Sequence, residues 1–486
     1  MTMMNVSELI AKPEVKRAID QAKELLRGSL PEGTFAERET ALLAITNETC
    51  REVLVAELLT IGTSFPDEIV VDGVAYRRHE EGTGTYHSLC GDLPVLRDTF
   101  RQMGVRNGPT VVPLELVAGL IERATPALAY SVAHGYAQHD MRAHEADLLT
   151  AHRVPPSRST LERMAGAIAD SAVQHAPRIE PLLRRGEKVP QGTVSAVMGL
   201  DRTTVAMLEE RPADAPPKPE PKRATPRVRR PPPPTDINWR MAYVGTVSFC
   251  DANGEALEIR RYAAPACDDP VEVVEKMTAD LRVALKKKPA LNAGIMQDGA
   301  HEMWNRTREG MQALRNEGLL KRWREGIDRY HLVERLADAL KIVESNAQKR
   351  RSRLDQWVTA LDECNAAIDK IEDFLGERYL AVRTTLTDEL RTKLEDHMIY
   401  IGNNKDRMRY VTLRNAGLPV GSGVTESTAK NTVGHRTKGS GRRWREDNLR
   451  GVLTLRAIHQ SDRLPRFWIH FSRRYVANVE ALAETG

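Results

Sequence analysis

Three acidic residues stand where the chain changes character, and any chemistry is read from them first. Asp201 lies in VSAVMGLDRTTVAM, a stretch with strand character. Asp298 closes the apolar run ALNAGIMQDG, and Glu426 falls in the first turn of the segment after the glycine-rich GLPVGSG. Carboxylates converging from two neighbouring strands and a helix suit hard cations such as Mg²⁺ or Mn²⁺. Two such ions about 3.5–4 Å apart activate a water or a 3′-hydroxyl and stabilise the leaving oxygen at a phosphodiester. Crowded carboxylates repel and titrate as a group, and cations make such a cluster tolerable. Each acid also has a plainer explanation. An Asp after a strand commonly caps a loop, and a Glu in a first helical turn favours the helix dipole. On pattern alone both explanations stand.

The elements that must position these acids follow from periodicity. Val194, Ala196, Met198 and Leu200 share one face of a strand, with Asp201 on the other. MAYVGTVSF, the turn DANG and EALEIRRYAA read as a hairpin with Asn253-Gly254 as its turn signal. Asp269-Pro270 opens a helix whose apolar stripe is Val274, Met277, Leu281 and Leu285. With the strand that ends at Asp298, these make three strands, a helix and a further strand, an α/β unit. Residues 328–400 read as almost wholly helical and heavily charged. Between Pro212 and Thr235 stand ten prolines and six Lys/Arg, which predict a stiff, extended basic loop.

Upstream, residues 1–60 read as helices, and DEIVVDGVAYRRHE is a short extended patch before a loop holding Gly82, Gly84 and Gly91. HEADLLTAHRVPPSRSTLERMAGAIADSAV has the form helix, turn, helix, with Ser159 and Glu162 as the start signal of the second. That pair is either a DNA-reading helix-turn-helix or an ordinary helical hairpin.

Composition limits the class. The chain has 486 residues, too many for one core to keep growing, with 41% hydrophobic and 28% charged residues. No apolar run is long enough for a membrane-spanning helix, and the start shows no secretory leader. The five cysteines form no CxxC pair, which fits a reducing cytoplasm. The net charge is +4, but residues 401–486 hold 16 Lys/Arg against 7 Asp/Glu. A net-basic end on a net-acidic body points to a polyanionic partner, or else to a solvated face. Lys430, His435, Arg436, Lys438, Arg442, Arg443 and Arg445 follow Glu426 closely. Each of them that neutralises a phosphate makes affinity fall with salt. Trp444 among them reads as a base-stacking platform or, more simply, as a core anchor.

GLPVGSGVTESTAKNTVGHRTKGSGRRW (417–444) with LTLRAIHQSDR after it closely resembles the signature of ISKra-type insertion-sequence transposases. VSAVMGLDRTTVAM, WRMAYVGTVSFCDANGEAL, IMQDGAHEMW and IDRYH match in the same order, so the resemblance spans roughly residues 190–470. It implies an RNase H-like α/β catalytic domain of the DDE class with a helical insertion, preceded by a mainly α-helical DNA-binding region. The acids then fall on Asp201, Asp298 and Glu426 as catalytic metal ligands, with Asp328, Tyr330 and His331 on an Asp-x-Tyr-His element. Asp328 competes with Asp298 for the second position, and His331 is either an auxiliary group or a structural one. Two positions depart from the family pattern: Arg202 replaces the usual Gly, and Arg329 an aromatic residue.

The expected domains are 1–105, helical with a small β patch; 106–190, helical with the helix-turn-helix; 191–327 with 401–460, catalytic, including the proline-rich loop 211–235; 328–400, the helical insertion; and 461–486, a basic tail. The resemblance implies an enzyme that binds the terminal inverted repeats of its element. It would use two Mg²⁺ or Mn²⁺ ions to hydrolyse and transfer strands, acting on double-stranded DNA as a dimer or larger assembly at the bacterial nucleoid, with no membrane partner. The alternatives are a DNA-binding protein that has lost catalysis and an RNase H-like nuclease without strand transfer.

Overall fold

A computed structural model describes residues 11–212, 235–265, 269–298 and 301–482. The chain forms two compact units, residues 1–168 with 469–486, and residues 169–468.

The first unit is mixed α/β. Helices α1 (Pro13–Ser29) and α2 (Phe35–Gly62) come first, and Thr34 and Glu37 form a capping box at the start of α2. Strands β1 (Glu68–Val71), β2 (Val74–Ser88), β3 (Gly91–Gln102) and β4 (Thr110–Val111) join a strand from the other end of the chain, β10 (Val479–Ala481), in the order β10-β1-β2-β3-β4. All the pairings are antiparallel. The expected glycine loop is therefore a long ribbon: Gly82 and Gly84 pair with Arg97 and Val95, and only Ser88–Gly91 turns. Tyr86, Leu93 and Val95 alternate inward onto Leu58 and Leu114, so the strand period persists across residues whose small size concealed it. The N-terminal region is mainly helical as expected, but its β part is a five-stranded sheet rather than a small patch. Nor do the described residues 461–482 form a tail, since Val479–Ala481 hydrogen-bonds to β1.

Helices α3 (Pro113–Ala118), α4 (Pro126–Gln138), α5 (Met141–Thr150) and α6 (Arg158–Gly186) follow, and the boundary between units falls inside α6. Helix α6 starts before the expected cap. Ser157, not Ser159, accepts the Thr160 N–H at 3.4 Å. Residues 151–157 separate α5 from α6, a longer connection than the three- or four-residue turn of a helix-turn-helix.

The second unit is built on a sheet ordered β7-β6-β5-β8-β9. Strands β5 (Ser195–Glu210), β6 (Thr235–Cys250) and β7 (Ala256–Ala264) form an antiparallel meander. Strands β8 (Asn292–Gln297) and β9 (Arg324–Ile327) add in parallel beside β5. Gly254 makes the β6–β7 turn at φ 82, with the Asp251 carboxylate accepting the N–H groups of Asn253 and Glu255. The proline-rich loop expected at 211–235 lies almost wholly outside the described residues, although Glu210 and Thr235 pair directly across its base.

Helix α7 (Val271–Lys287) buries the expected stripe of Val274, Met277, Leu281 and Leu285, and α8 (His301–Asn316) follows β8. Residues 329–404 form α9 (Arg329–Val343), α10 (Ala347–Glu363), α11 (Ala367–Val382) and α12 (Asp388–Asn404). Next come α13 (Tyr410–Asn415), α14 (Gly423–Thr428), a π turn at Ala429–Gly434, α15 (His435–Thr437), α16 (Glu446–Gln460) and α17 (Leu464–Ser472). One apolar core runs from the sheet through α7 and α8 into the helices of 329–404. A buried ionic group ties the end of α6 and the start of α17 to the same unit. The Asp280 carboxylate, fully buried, meets Arg260 at 2.9 Å and Arg463 at 2.7 Å, and Glu187 also binds Arg463.

Candidate active site

Asp201 lies near the middle of β5, the central strand, and Asp298 immediately follows β8, its parallel neighbour. Met198 pairs with Ile295. Asp201 and Asp298 each lie three residues beyond that last matched pair, so both follow from the same end of the β5–β8 ladder. Glu426 arrives on α14, which packs on β5 and β6 beside Gly199. A Cβ at Gly199 would stand 2.1 Å from the Thr425 hydroxyl, so only glycine admits the helix this close. Thr425 in turn shares a buried hydrogen bond of 2.8 Å with Thr246 of β6. Gly199 and Asp201 face the same side of the strand, the side on which α14 lies.

The electrostatics tie the three acids together. Burial pushes the Asp201 carboxyl up to about 6; the Arg202 N–H, donating at 2.7 Å, opposes this, and the charges of Asp298 and Glu426 add to it. An Asp whose folded value exceeds its unfolded value of 3.8 carries no penalty below that pH. It destabilises progressively as pH rises from there to about 6, and fully above it. In metal-free protein the Asp201 carboxyl is expected to titrate near 6 by ¹³C NMR, and Glu426→Gln is expected to lower that midpoint. A midpoint near 4 would remove Asp201 from the shared field.

Glu426 is held by Ser422 and His331. The Ser422 hydroxyl lies 2.6 Å from Glu426 Oε1 and 2.9 Å from Asp328 Oδ2, one proton between two carboxylates. His331 places Nε2 3.1 Å from Glu426 and Nδ1 3.3 Å from Glu334. Burial lowers the pKa of His331, but the Glu334 hydrogen bond and the charges of Asp328 and Glu426 outweigh it, so the net shift is upward. A protonated imidazole donates to both carboxylates at once.

Asp328 is engaged otherwise. It is 3% exposed, caps α9 through the His331 N–H at 3.0 Å, and accepts from both the N–H and the hydroxyl of Ser422. Its carboxylate holds the start of α9 against residues 420–422 and has little capacity left for a ligand. The Arg329 departure is explained nearby, since its guanidinium binds Asp362 at 2.6 Å and ties α9 to α10. Arg202 sends its guanidinium to Glu302 on α8.

The basic residues divide into two groups. Lys430 and Lys438 are exposed and line a cleft of about 570 Å³ together with Asp201 and Glu426. Arg443 and Arg445 are exposed as well. Arg436 is 6% exposed and stacks on Trp444 at 5.1 Å, and Arg442 donates to the Arg436 carbonyl at 2.9 Å, so these two hold the fold. Trp444 is the core anchor: its backbone extends the sheet at Ala206 and Leu208, and its side chain packs against the apolar cluster that contains Val205 and Val433.

Among the described residues no three His, Cys, Asp or Glu side chains are disposed to hold one metal ion. The donors are of the type a hard cation takes, but as they stand they share a field rather than a cage. Sequence reasoning passed over Gly199 and Ser422. Ser422 had a signal, the serine between two glycines in GLPVGSG, whereas Gly199 had none beyond being a glycine within a strand. The π turn directly after Glu426 was also missed, and such turns recur at functional sites. No described helix is long and apolar enough to cross a membrane.

No protein-family model and no curated protein matches the chain. Among solved structures, the Drosophila P element transposase strand transfer complex is similar at 12% identity over 71% of this chain and 83% of that one. The TM-score is 0.23, too low to bear on fold or function.

Proposed function

We propose that the second unit is an RNase H-like catalytic domain and the chain a DDE-type transposase that cuts and joins the ends of an insertion sequence. What supports this most is the Asp201 carboxyl buried on the central strand, whose affinity for its proton is raised first by burial and further by the charges of Asp298 and Glu426. The sheet order, antiparallel meander first and parallel strands after, is the frame this chemistry needs. Asp298 takes the second position, because the Asp328 carboxylate is already satisfied by three donors.

Mg²⁺ or Mn²⁺ at these acids would supply an activated water or 3′-hydroxyl and neutralise the leaving oxygen. The chain's own groups orient the reactants. Ser422 and His331 fix Glu426, while Lys430 and Lys438 hold the phosphate backbone along the cleft. Working on two element ends requires at least two copies. Labelled candidate ends incubated with a supercoiled target and Mg²⁺ test the reading. Joined products support it, cutting without joining makes the chain a nuclease, and neither leaves a DNA-binding scaffold.

The partition of the basic residues is testable by binding alone. Alanine at Lys430, Lys438, Arg443 and Arg445 is expected to flatten the salt dependence of DNA affinity by roughly one unit for each phosphate no longer neutralised. Arg436→Ala is expected to lower the melting temperature instead. An unchanged slope in the fourfold variant would place the DNA elsewhere.

A further inference from the structure

Beside the acids, within the second unit, a cleft of about 680 Å³ is lined by Asp298, His331, Arg335, Lys341, His397 and Tyr400. Its size falls in the range of roughly 300–1,000 Å³ typical of small-molecule sites. Asp298 and His331 belong to the acid group as well, so the cleft adjoins the phosphate position proposed above.

His397 on α12 is only 7% exposed, yet neither ring nitrogen has a hydrogen-bond partner among the described residues. A buried polar group left unpaired is costly, so an unsatisfied ring lining a cleft points to a ligand. Burial and the adjacent Arg335 charge hold His397 below its usual pKa, Lys393 acting the same way and Asp338 and Asp396 against. A neutral imidazole offers one donor and one acceptor.

The rest of the lining narrows the choice. The Arg335 guanidinium lies 3.9 Å from the centre of the Tyr400 ring and forms a flat stacking surface. Arg335 and Lys341 are set against Asp298, Glu334 and Asp338, and Lys341 is already paired to Asp338 at 2.7 Å. With His331 protonated, three cations face three anions, so a free phosphate would meet no net positive charge here. A flat, uncharged heterocycle with donors and acceptors on its edge meets a complementary surface.

We propose that this cleft receives one nucleobase turned out of the duplex beside the reacting phosphate, with His397 reading its edge and Arg335 covering its face. The inference rests on the DNA-processing reading. Extruding a base costs least when the base is already unpaired, and stacking offsets part of that cost.

The test uses the full chain without divalent ions and two short duplexes. They differ only in whether a 2-aminopurine stands opposite thymine or opposite an abasic site. The wild type is expected to bind the unpaired form roughly tenfold more tightly. His397→Ala and, separately, Arg335→Ala are expected to abolish that preference while leaving affinity for the paired duplex intact, and His397→Gln, which keeps a donor and an acceptor, to restore part of it. Equal binding of both duplexes by the wild type overturns the proposal, as does a preference that survives in both alanine variants. Binding to neither duplex overturns the DNA-processing reading itself.

Discussion

Asp201→Asn, Asp298→Asn and Glu426→Gln are each expected to reduce end cleavage and joining by roughly a thousandfold or more, with DNA affinity nearly unchanged. Each substitution removes one charged oxygen from the group while keeping the side chain's shape, so the loss belongs to chemistry rather than packing. The Asp201 substitution is the most informative, because its carboxyl feels both other acids. Asp328→Asn is the contrast. It weakens a buried cap that accepts from His331 and Ser422, so it is expected to lower the melting temperature along with the rate. Quantitative gel assays on labelled ends decide the matter, and near-normal cleavage by Asp298→Asn would dismantle the two-strand arrangement.

The second large effect is on stability. Asp280→Ala is expected to destabilise the second unit by about 3–5 kcal/mol, a fall in melting temperature on the order of 10 °C. The carboxylate is fully buried between Arg260 and Arg463, with Tyr262 also donating to it. Burial alone would lower the Arg463 pKa, but Asp280 and Glu187 reverse this and hold it raised. Removing the acid leaves Arg260 and Arg463 in a low-dielectric interior sharing Glu187 as their remaining buried carboxylate. The exposed pair Lys341–Asp338 is the control, and breaking it is expected to change stability by less than about 1 kcal/mol. Urea unfolding of the three proteins makes the comparison, and a loss at Asp280 no larger than the control's would show that water reaches the group.

Much of the second unit was legible because its strands carry clean apolar periods. Val274, Met277, Leu281 and Leu285 marked α7, and Asn253-Gly254 marked the hairpin, since only a residue at home at positive φ makes that turn. The ribbon β2–β3 was hidden by Gly82, Thr83, Gly84 and Thr85, whose small side chains carry no hydrophobic signal although their backbones pair in full register. The start of α6 was misplaced by two residues because Ser157 and Ser159 are equally good caps in sequence, and only backbone direction separates them. The three acids were found within a strand, just after a strand and at a helix start. Of the groups that orient Glu426, Ser422 lies one helical turn before it, whereas His331 comes from far away in the chain and no local pattern announces that contact.

The pairing of Ile69 with Ala481 makes the first unit discontinuous, since residues 169–468 interrupt it in the chain. During synthesis, the outer side of β1 has its backbone groups bare until some four hundred further residues have left the ribosome. A fragment ending near residue 168 would keep that bare edge permanently and is expected to self-associate through it. Supplying a short peptide that spans residues 476–482 should restore a monodisperse species.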